Sequence, residues 1–257
     1  MNDSQQHPPD SYDILAIARE VITVAYCAKS DRPSSRALLA FAVRLAGSWK
    51  STVTLVKHHP EQNDLRAISN DCAVIQRCMY DAFLQMRWIA LGPNDSDKMG
   101  QLYLDFQIVE NYRLMNVVLS QDDAMSRRVA NSPLKDEGHP RLTKNYNRVK
   151  VQYPKSDGKG VRNQWYPGSL ADLAKDLRAS EEFTWFVRRN NSSVHTGPRA
   201  MFHDSEANAR HIELIPEWIL CSGLGVLARH DNLALSDLAA EVIAAHSTSL
   251  LTASFDS

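Results

Sequence analysis

The chain has 257 residues, 44% hydrophobic and 23% charged, with a formal net charge of −1. That is enough chain for a sizeable core, an ordinary globular composition, and no overall charge that demands a polyanionic partner. No apolar run reaches the roughly eighteen residues of a membrane-spanning helix, and ten glycines with eleven prolines are few for a loop-rich β protein. The stretch from Met1 to Pro9 is polar and ends in Pro-Pro; residues 1–10 read as a disordered tail without a secretory signal, and 251–257 as a second tail. The four cysteines (27, 72, 78 and 221) lie in apolar or helical surroundings without a CxxC and read as reduced core thiols of a cytoplasmic protein.

Between the tails the apolar residues recur at helical spacing. Tyr12 to Ala28 is a first helix, with Ile14, Ile17, Val21 and Val24 on one side. A turn at Asp31–Ser35 leads into a second, with Leu38, Phe41, Leu45, Trp49, Val53 and Val56 on one face and an end at His58-His59-Pro60; the two predict an antiparallel hairpin. A third helix spans about Glu61 to Leu91, its apolar stripe running Ile75, Met79, Phe83, Met86, Ile89. Beside it lies a second stripe of Arg77, Asp81, Gln85 and Trp88, in which Arg77 and Asp81 pair across one turn. Gly92-Pro93 stops this helix, and a fourth runs from Ser96 to about Leu119 with Glu110 and Arg113 at pairing distance. Ser120-Gln-Asp-Asp123 fits a capping box that opens another helical segment.

From residue 131 to 168 the periodicity dissolves into prolines, glycines and basic residues. Between Arg127 and Arg162 stand ten lysines and arginines against three acids, so a basic third sits on an otherwise acidic chain. Within this insertion Pro140 to Val151 has helical character, and Pro154 to Gly168 reads as a long exposed loop. Arg148, Lys150, Lys155, Lys159 and Arg162, interleaved with Tyr153, Trp165 and Tyr166, form a pattern that follows a nucleic-acid backbone while rings stack on bases; a solvated basic loop is the plainer account. Ser169-Leu-Ala-Asp172 is a second capping box, and Ser180-Glu-Glu caps the helix that carries Trp185 and Arg189, with a break at Gly197-Pro198. Glu206 to Leu251 is helical by period, interrupted near Pro216, Gly223/Gly225 and Asp231-Asn232. The expected architecture is all-α: a single domain over residues 11–250, built as an antiparallel helical bundle.

Familiar metal and nucleotide signatures are absent. His58-His59 is adjacent rather than spaced i, i+4 and there is no HExxH; no metal or cofactor is expected. Gly223-x-Gly225 follows no strand and reads as a packing or kink site, Gly158-Lys-Gly160 is a basic turn, and no GxSxG occurs. The chemistry-bearing stretch is Phe186-Val-Arg-Arg-Asn-Asn-Ser-Ser-Val-His195, which puts an arginine and a histidine within about two helical turns. Arg189 is a permanent planar cation suited to phosphate oxygens, and His195 titrates near working pH; together they can hold charge and move a proton on a phosphodiester without metal. A histidine favoured by the dipole at a helix C-terminus is the structural account of the same residues. For Arg77 and Asp81 the structural account, an ion pair fixing helix register, stands ahead of a supporting role beside His195.

The stretch resembles the signature of the HEPN superfamily, helical domains of prokaryotic toxins, defence proteins and some eukaryotic ribonucleases. That signature is an arginine, four to six residues, then a histidine, often with Asn directly after the arginine; Arg189-Asn190 and His195, with five residues between, match it, and Arg188 fits less well. Over residues 65 to 200 the chain is also similar to an uncharacterised, mostly bacterial helical family with an Arg-x-x-x-acid helix (here Arg77 and Asp81, then Trp88) and a downstream Ser-x-x-Val-His, compared here with Ser192-Ser193-Val194-His195. The resemblance implies a HEPN-like core over residues 61–200, with extra N- and C-terminal helices and the basic insertion at 131–168. It implies a homodimer in which two Arg/His pairs face one cleft. The implied activity is metal-independent RNA cleavage by attack of the 2′-hydroxyl, in stress or antiviral defence, open to restraint by a regulatory protein partner. His195 would be the base or acid, Arg189 would stabilise the pentacoordinate phosphorus, and Asn190 and Ser192 would orient phosphate or imidazole. A non-catalytic helical interaction protein and an RNA- or nucleotide-binding sensor are the competing expectations.

Overall fold

The computed structural model describes residues 11–58, 62–120, 124–130, 138–194 and 209–253; within them the side chains of 11–13, 62–67, 125, 129–130, 188–194, 209–211 and 247–253 fall outside the description. The described residues form ten α-helices and no strand: α1 (Ser11–Cys27), α2 (Pro33–His58), α3 (Gln62–Leu91), α4 (Ser96–Ser120), α5 (Ala124–Ala130), α6 (His139–Val149, followed by a 3₁₀ turn Lys150–Gln152), α7 (Leu170–Asp176), α8 (Ser180–Val194), α9 (Ala209–Asp231) and α10 (Asp237–Ala253). The protein is all-α, and the predicted helix limits hold to within a few residues up to Ser120.

α2 runs through the middle of the bundle. Its buried residues, Leu38, Phe41, Ala42, Leu45, Trp49 and Val56, repeat every three to four positions and pack against α1, α3, α4 and α9. Directions follow from contact pairs. Ser35 at the start of α2 donates to Asp231 at the end of α9 (2.6 Å), while Val56 near its end clusters with Ile68, Cys72 and Ile212, so α2 is antiparallel to both α3 and α9. α4 enters beside the start of α2 so closely that a Cβ on Gly100 would lie 2.5 Å from the Ser34 Cα, and only glycine fits there. At the same junction Asp97 accepts hydrogen bonds from the Ser34 hydroxyl, the Ser34 backbone N–H and Arg32, which hold its carboxyl below the usual range.

α9 is buried around most of its girth from Ile215 to Leu227, as expected for a helix enclosed by α1, α2, α3 and α10. The helices flanking residues 61–200 therefore complete the core rather than decorate it. Contrary to the sequence reading, neither Pro216 nor Gly223/Gly225 interrupts α9. Proline lacks the N–H that would bond the carbonyl four residues earlier. That carbonyl, on Ile212, instead accepts from the Gln76 side chain of α3 at 3.1 Å. Gly223 lets α2 approach, since a Cβ there would meet Leu45 Cδ1 at 2.5 Å. Only the third expected break, after Asp231, is real: Asn232 takes φ 51°, and Ser236 then caps α10 through its hydroxyl to the Ala239 N–H while Glu20 of α1 accepts from Ser236.

Gln76→Leu should therefore cost about 1–3 kcal/mol by orphaning a buried carbonyl. In a Pro216→Ala background, where the helix supplies its own N–H, that cost should shrink; urea unfolding of the four-protein cycle measures both, and equal costs in the two backgrounds would refute the pairing.

The cysteine expectation needs one correction. All four thiols are free, but only Cys72 and Cys221 are buried; Cys27 and Cys78 lie on outward faces of their helices and are exposed. No helix among the described residues is long and apolar enough to cross a membrane.

Candidate functional site

α8 begins with Glu181 and Glu182 in its first turn, where the helix dipole favours acids. Its inward face is aromatic: the buried Phe186 ring stacks on Tyr80 of α3 (centroids 4.0 Å, 6°) and on Trp218 of α9 (5.9 Å, 15°), with Phe183 beside Tyr80 at 6.5 Å. Arg87 of α3 clamps both carboxylate oxygens of Glu182 at 3.2 Å. Position 80 meets 186 and position 87 meets 182, so α8 lies antiparallel on α3 and continues past Phe186 toward the first half of that helix. Its helical backbone carries Arg188, Arg189, Asn190 and Ser192 and runs on to Val194. The side chains of those four residues, the whole of His195, and the Gly197-Pro198 break lie outside the described residues.

Along α3, the polar stripe faces α8 and the insertion. Arg77 Nε approaches Asp81 Oδ1 at 2.9 Å, with side-chain exposures of 17% and 26%. The contact is an ion pair across one helical turn; Arg77 Nη1 is buried with no hydrogen-bond partner among the described residues. The Arg77 guanidinium also lies over the Phe183 ring of α8 at 5.7 Å, which couples the pair to the helix bearing Arg189. Burial pushes the Asp81 carboxyl above its ordinary pKa, against the pull of Arg77 and Arg44.

The sign of the resulting pH effect is fixed. A carboxyl raised in the folded state binds its proton there before the unfolded chain does, so its contribution to stability rises as pH falls through that raised value. Wild type should gain stability relative to Asp81→Asn on going from neutral pH into the carboxylate range. Urea unfolding of both proteins across that range checks it; a relative loss on acidification would mean that the Arg77 attraction outweighs burial.

From residue 138 onward the insertion holds more regular structure than its composition predicts. α6 and its 3₁₀ turn occupy residues 139–152, and a single bridge between Pro154 and Val161 closes a tight hairpin. Gly158 (φ 69°) and Gly160 (φ 97°) adopt left-handed geometry in its tip. The second half of the expected exposed loop folds inward. Tyr153 (0% exposed), Trp165 (4%) and Tyr166 (9%) are core residues, so the expectation that these rings stack on bases fails. Trp165 donates its Nε1 hydrogen to Gln85 Oε1 of the α3 stripe (2.7 Å) and packs edge-on against Trp88, Tyr103 and Tyr166. Trp88, the last residue of the stripe, donates to Asp176 of α7 at 3.2 Å.

Arg162 also departs from its expected role. It donates to the Trp165 carbonyl (2.5 Å) and lies over the Tyr153 ring (5.4 Å), and partial burial lowers its pKa; it braces the insertion instead of meeting a phosphate. Lys150 is half-buried with its ammonium over Tyr146. Arg148, Lys155 and Lys159 are exposed, as a nucleic-acid contact requires.

Sequence reading missed the clamp that holds the hairpin. Arg113 does not pair with Glu110; its Nη2 donates to the carbonyls of Val161 and Arg162, both at 2.9 Å. Nothing local signals a bond spanning about fifty residues. It also missed Arg141 and Lys144, which the i, i+3, i+7 spacing to Arg148 would have put on one exposed face. Among the described residues no group of three or more His, Cys, Asp or Glu side chains is placed to hold a metal ion.

These features define an all-α bundle protein with a polar seam along α3, an insertion clamped against that seam, and a helix α8 docked beside it. The chain belongs to a family of unknown function, DUF5677, whose profile matches residues 36–211, from the start of α2 to the start of α9 and so across the seam, the insertion and the Arg189–His195 stretch. No curated protein and no solved structure matches the chain.

Proposed function

We propose that the protein is a metal-independent endoribonuclease of HEPN type, cytoplasmic and homodimeric, acting in stress or antiviral defence. The observation that carries the reading is the continuity of α8: one helix, anchored on α3 through Phe186 and Glu182, runs through Arg189 and Asn190 to Val194, directly before His195. A reactive group borne by a rigid, docked helix holds its geometry better than one on a free loop.

In the proposed reaction His195 takes the proton of an RNA 2′-hydroxyl, the 2′-oxygen bonds to the adjacent phosphorus, and the bond from phosphorus to the 5′-oxygen breaks. The imidazolium of the second copy in the dimer supplies the proton to that leaving oxygen. Arg189 stabilises the added negative charge on the pentacoordinate phosphorus, and Asn190 and Ser192 orient phosphate or imidazole. Arg77 and Asp81 act from behind, through Phe183, by fixing α8 on α3. The exposed cations Arg148, Lys155 and Lys159 favour one further reading, a sensor that holds RNA without cutting it.

The test is RNA cleavage in EDTA by the wild type against His195→Ala, with the folding of both confirmed by circular dichroism. Loss of cleavage only in the variant supports the reading; no cleavage by either protein across varied RNAs points to the sensor or to an interaction module, and equal cleavage by both removes His195 from the chemistry.

A further inference from the structure

We propose that the outer face of α6 and the neighbouring hairpin tip form a surface that grips the phosphate backbone of base-paired RNA. This deepens the ribonuclease reading by naming its substrate class, and rests on that reading for the choice of RNA among polyanions.

Arg141, Lys144 and Arg148 lie at i, i+3 and i+7 on α6 and are all exposed, a cationic stripe about 10 Å long. The helix cannot roll this stripe inward, because its other face is committed: Val149 is buried and Tyr146 stacks on Tyr112 of α4 (3.9 Å, 9°). Lys155 and Lys159 continue the charge on the hairpin. Its backbone is fixed by hydrogen bonds from Lys155 N–H to the Gly160 carbonyl (3.1 Å) and from Gly158 N–H to the Lys155 carbonyl (2.9 Å), and by the Arg113 clamp at its base. None of these five cations pairs with a carboxylate among the described residues. Asp157, the one acid between residues 138 and 168, is engaged by the Lys159 backbone N–H.

The rings decide the kind of ligand. Proteins that hold unpaired strands supply aromatic faces for splayed bases. Here Tyr153, Trp165 and Tyr166 are buried and Tyr146 is sandwiched between Tyr112 and Lys150, so the surface offers charge without a stacking platform. Charge alone fits a ligand whose phosphates are outside and whose bases are already paired. A lipid surface fits less well, because an interfacial helix needs a free apolar face and that of α6 is spent on α4.

The test is binding of the full chain to a 2′-O-methylated RNA duplex of roughly 16 base pairs, which 2′-attack cannot cut, against unpaired strands of the same composition. Five phosphate contacts predict that log affinity falls against log salt with a slope of roughly −4.5, shallower by about three in R141E/K144E/R148E and by about two in K155E/K159E. The duplex should bind more tightly than either strand and without regard to sequence. The two variants alter separate elements, and circular dichroism checks each. Tighter binding to unpaired strands, a salt slope unchanged in both variants, or retention on anionic vesicles without duplex binding would overturn the proposal. Duplex binding by a protein that cuts no RNA would sink the nuclease reading alone; cleavage with unchanged slopes would sink this surface alone.

Discussion

Trp165→Ala is expected to lower the unfolding free energy by about 3–5 kcal/mol, the range for removing a large aromatic side chain from a packed core. The indole is 4% exposed, touches Trp88, Tyr103 and Tyr166, and satisfies Gln85 through its N–H. Alanine would leave a cavity between α3, α4 and the insertion, and would leave the Gln85 oxygen without its donor. Trp165→Phe should recover part of the loss, since it refills most of the volume but not the hydrogen bond. The comparison that gives the result meaning is Lys155→Ala in the same insertion, which should change stability by no more than about 0.5 kcal/mol. Urea unfolding measures all three. A cost under about 1 kcal/mol for Trp165→Ala would return the ring to the base-stacking surface role expected from its basic surroundings.

Arg189→Ala should lower RNA cleavage about 10²–10³-fold, the usual penalty for removing one preorganised donor from a developing oxyanion. Arg189→Lys should restore little of it, because an ammonium keeps the charge but loses the planar fork that spans two phosphate oxygens. The loss should fall in kcat rather than KM if the contact strengthens as phosphorus becomes pentacoordinate. His195→Ala should act differently: a fall of at least about 10²–10⁴-fold and the disappearance of both limbs of the pH–rate profile, since in the proposed homodimer the same residue supplies the base from one copy and the acid from the other. Arg189 variants that leave rate untouched, or that raise KM alone, would reduce the arginine to a ground-state anchor.

Why some of this was readable in advance and some was not is clear from individual residues. The α2 face from Leu38 to Val56 is legible because a helix burying one side must repeat its apolar residues every 3.6 positions. Arg77 and Asp81 are legible for the same reason, one turn apart on one helix. Pro216 misled because breaking a helix there depends on whether the orphaned carbonyl finds a donor, and that donor is Gln76, 136 residues away. Trp165 and Tyr166 misled because they stand among prolines, glycines and lysines, and only the third and fourth helices reveal the partners that bury them. Arg113 pairs with two backbone carbonyls, which have no sequence identity to search for. Arg189 is legible as part of the helix that Ser180-Glu-Glu opens, while His195 lies outside the described residues.

The most direct measurement of the central claim is the chemistry of the cut ends after incubation of RNA with the wild-type protein in EDTA. Attack by the 2′-hydroxyl predicts 2′,3′-cyclic phosphate on one fragment and a 5′-hydroxyl on the other, with both absent from the His195→Ala reaction. Fragments bearing a 3′-hydroxyl and a 5′-phosphate, or cleavage that appears only when a divalent metal is restored, would contradict it.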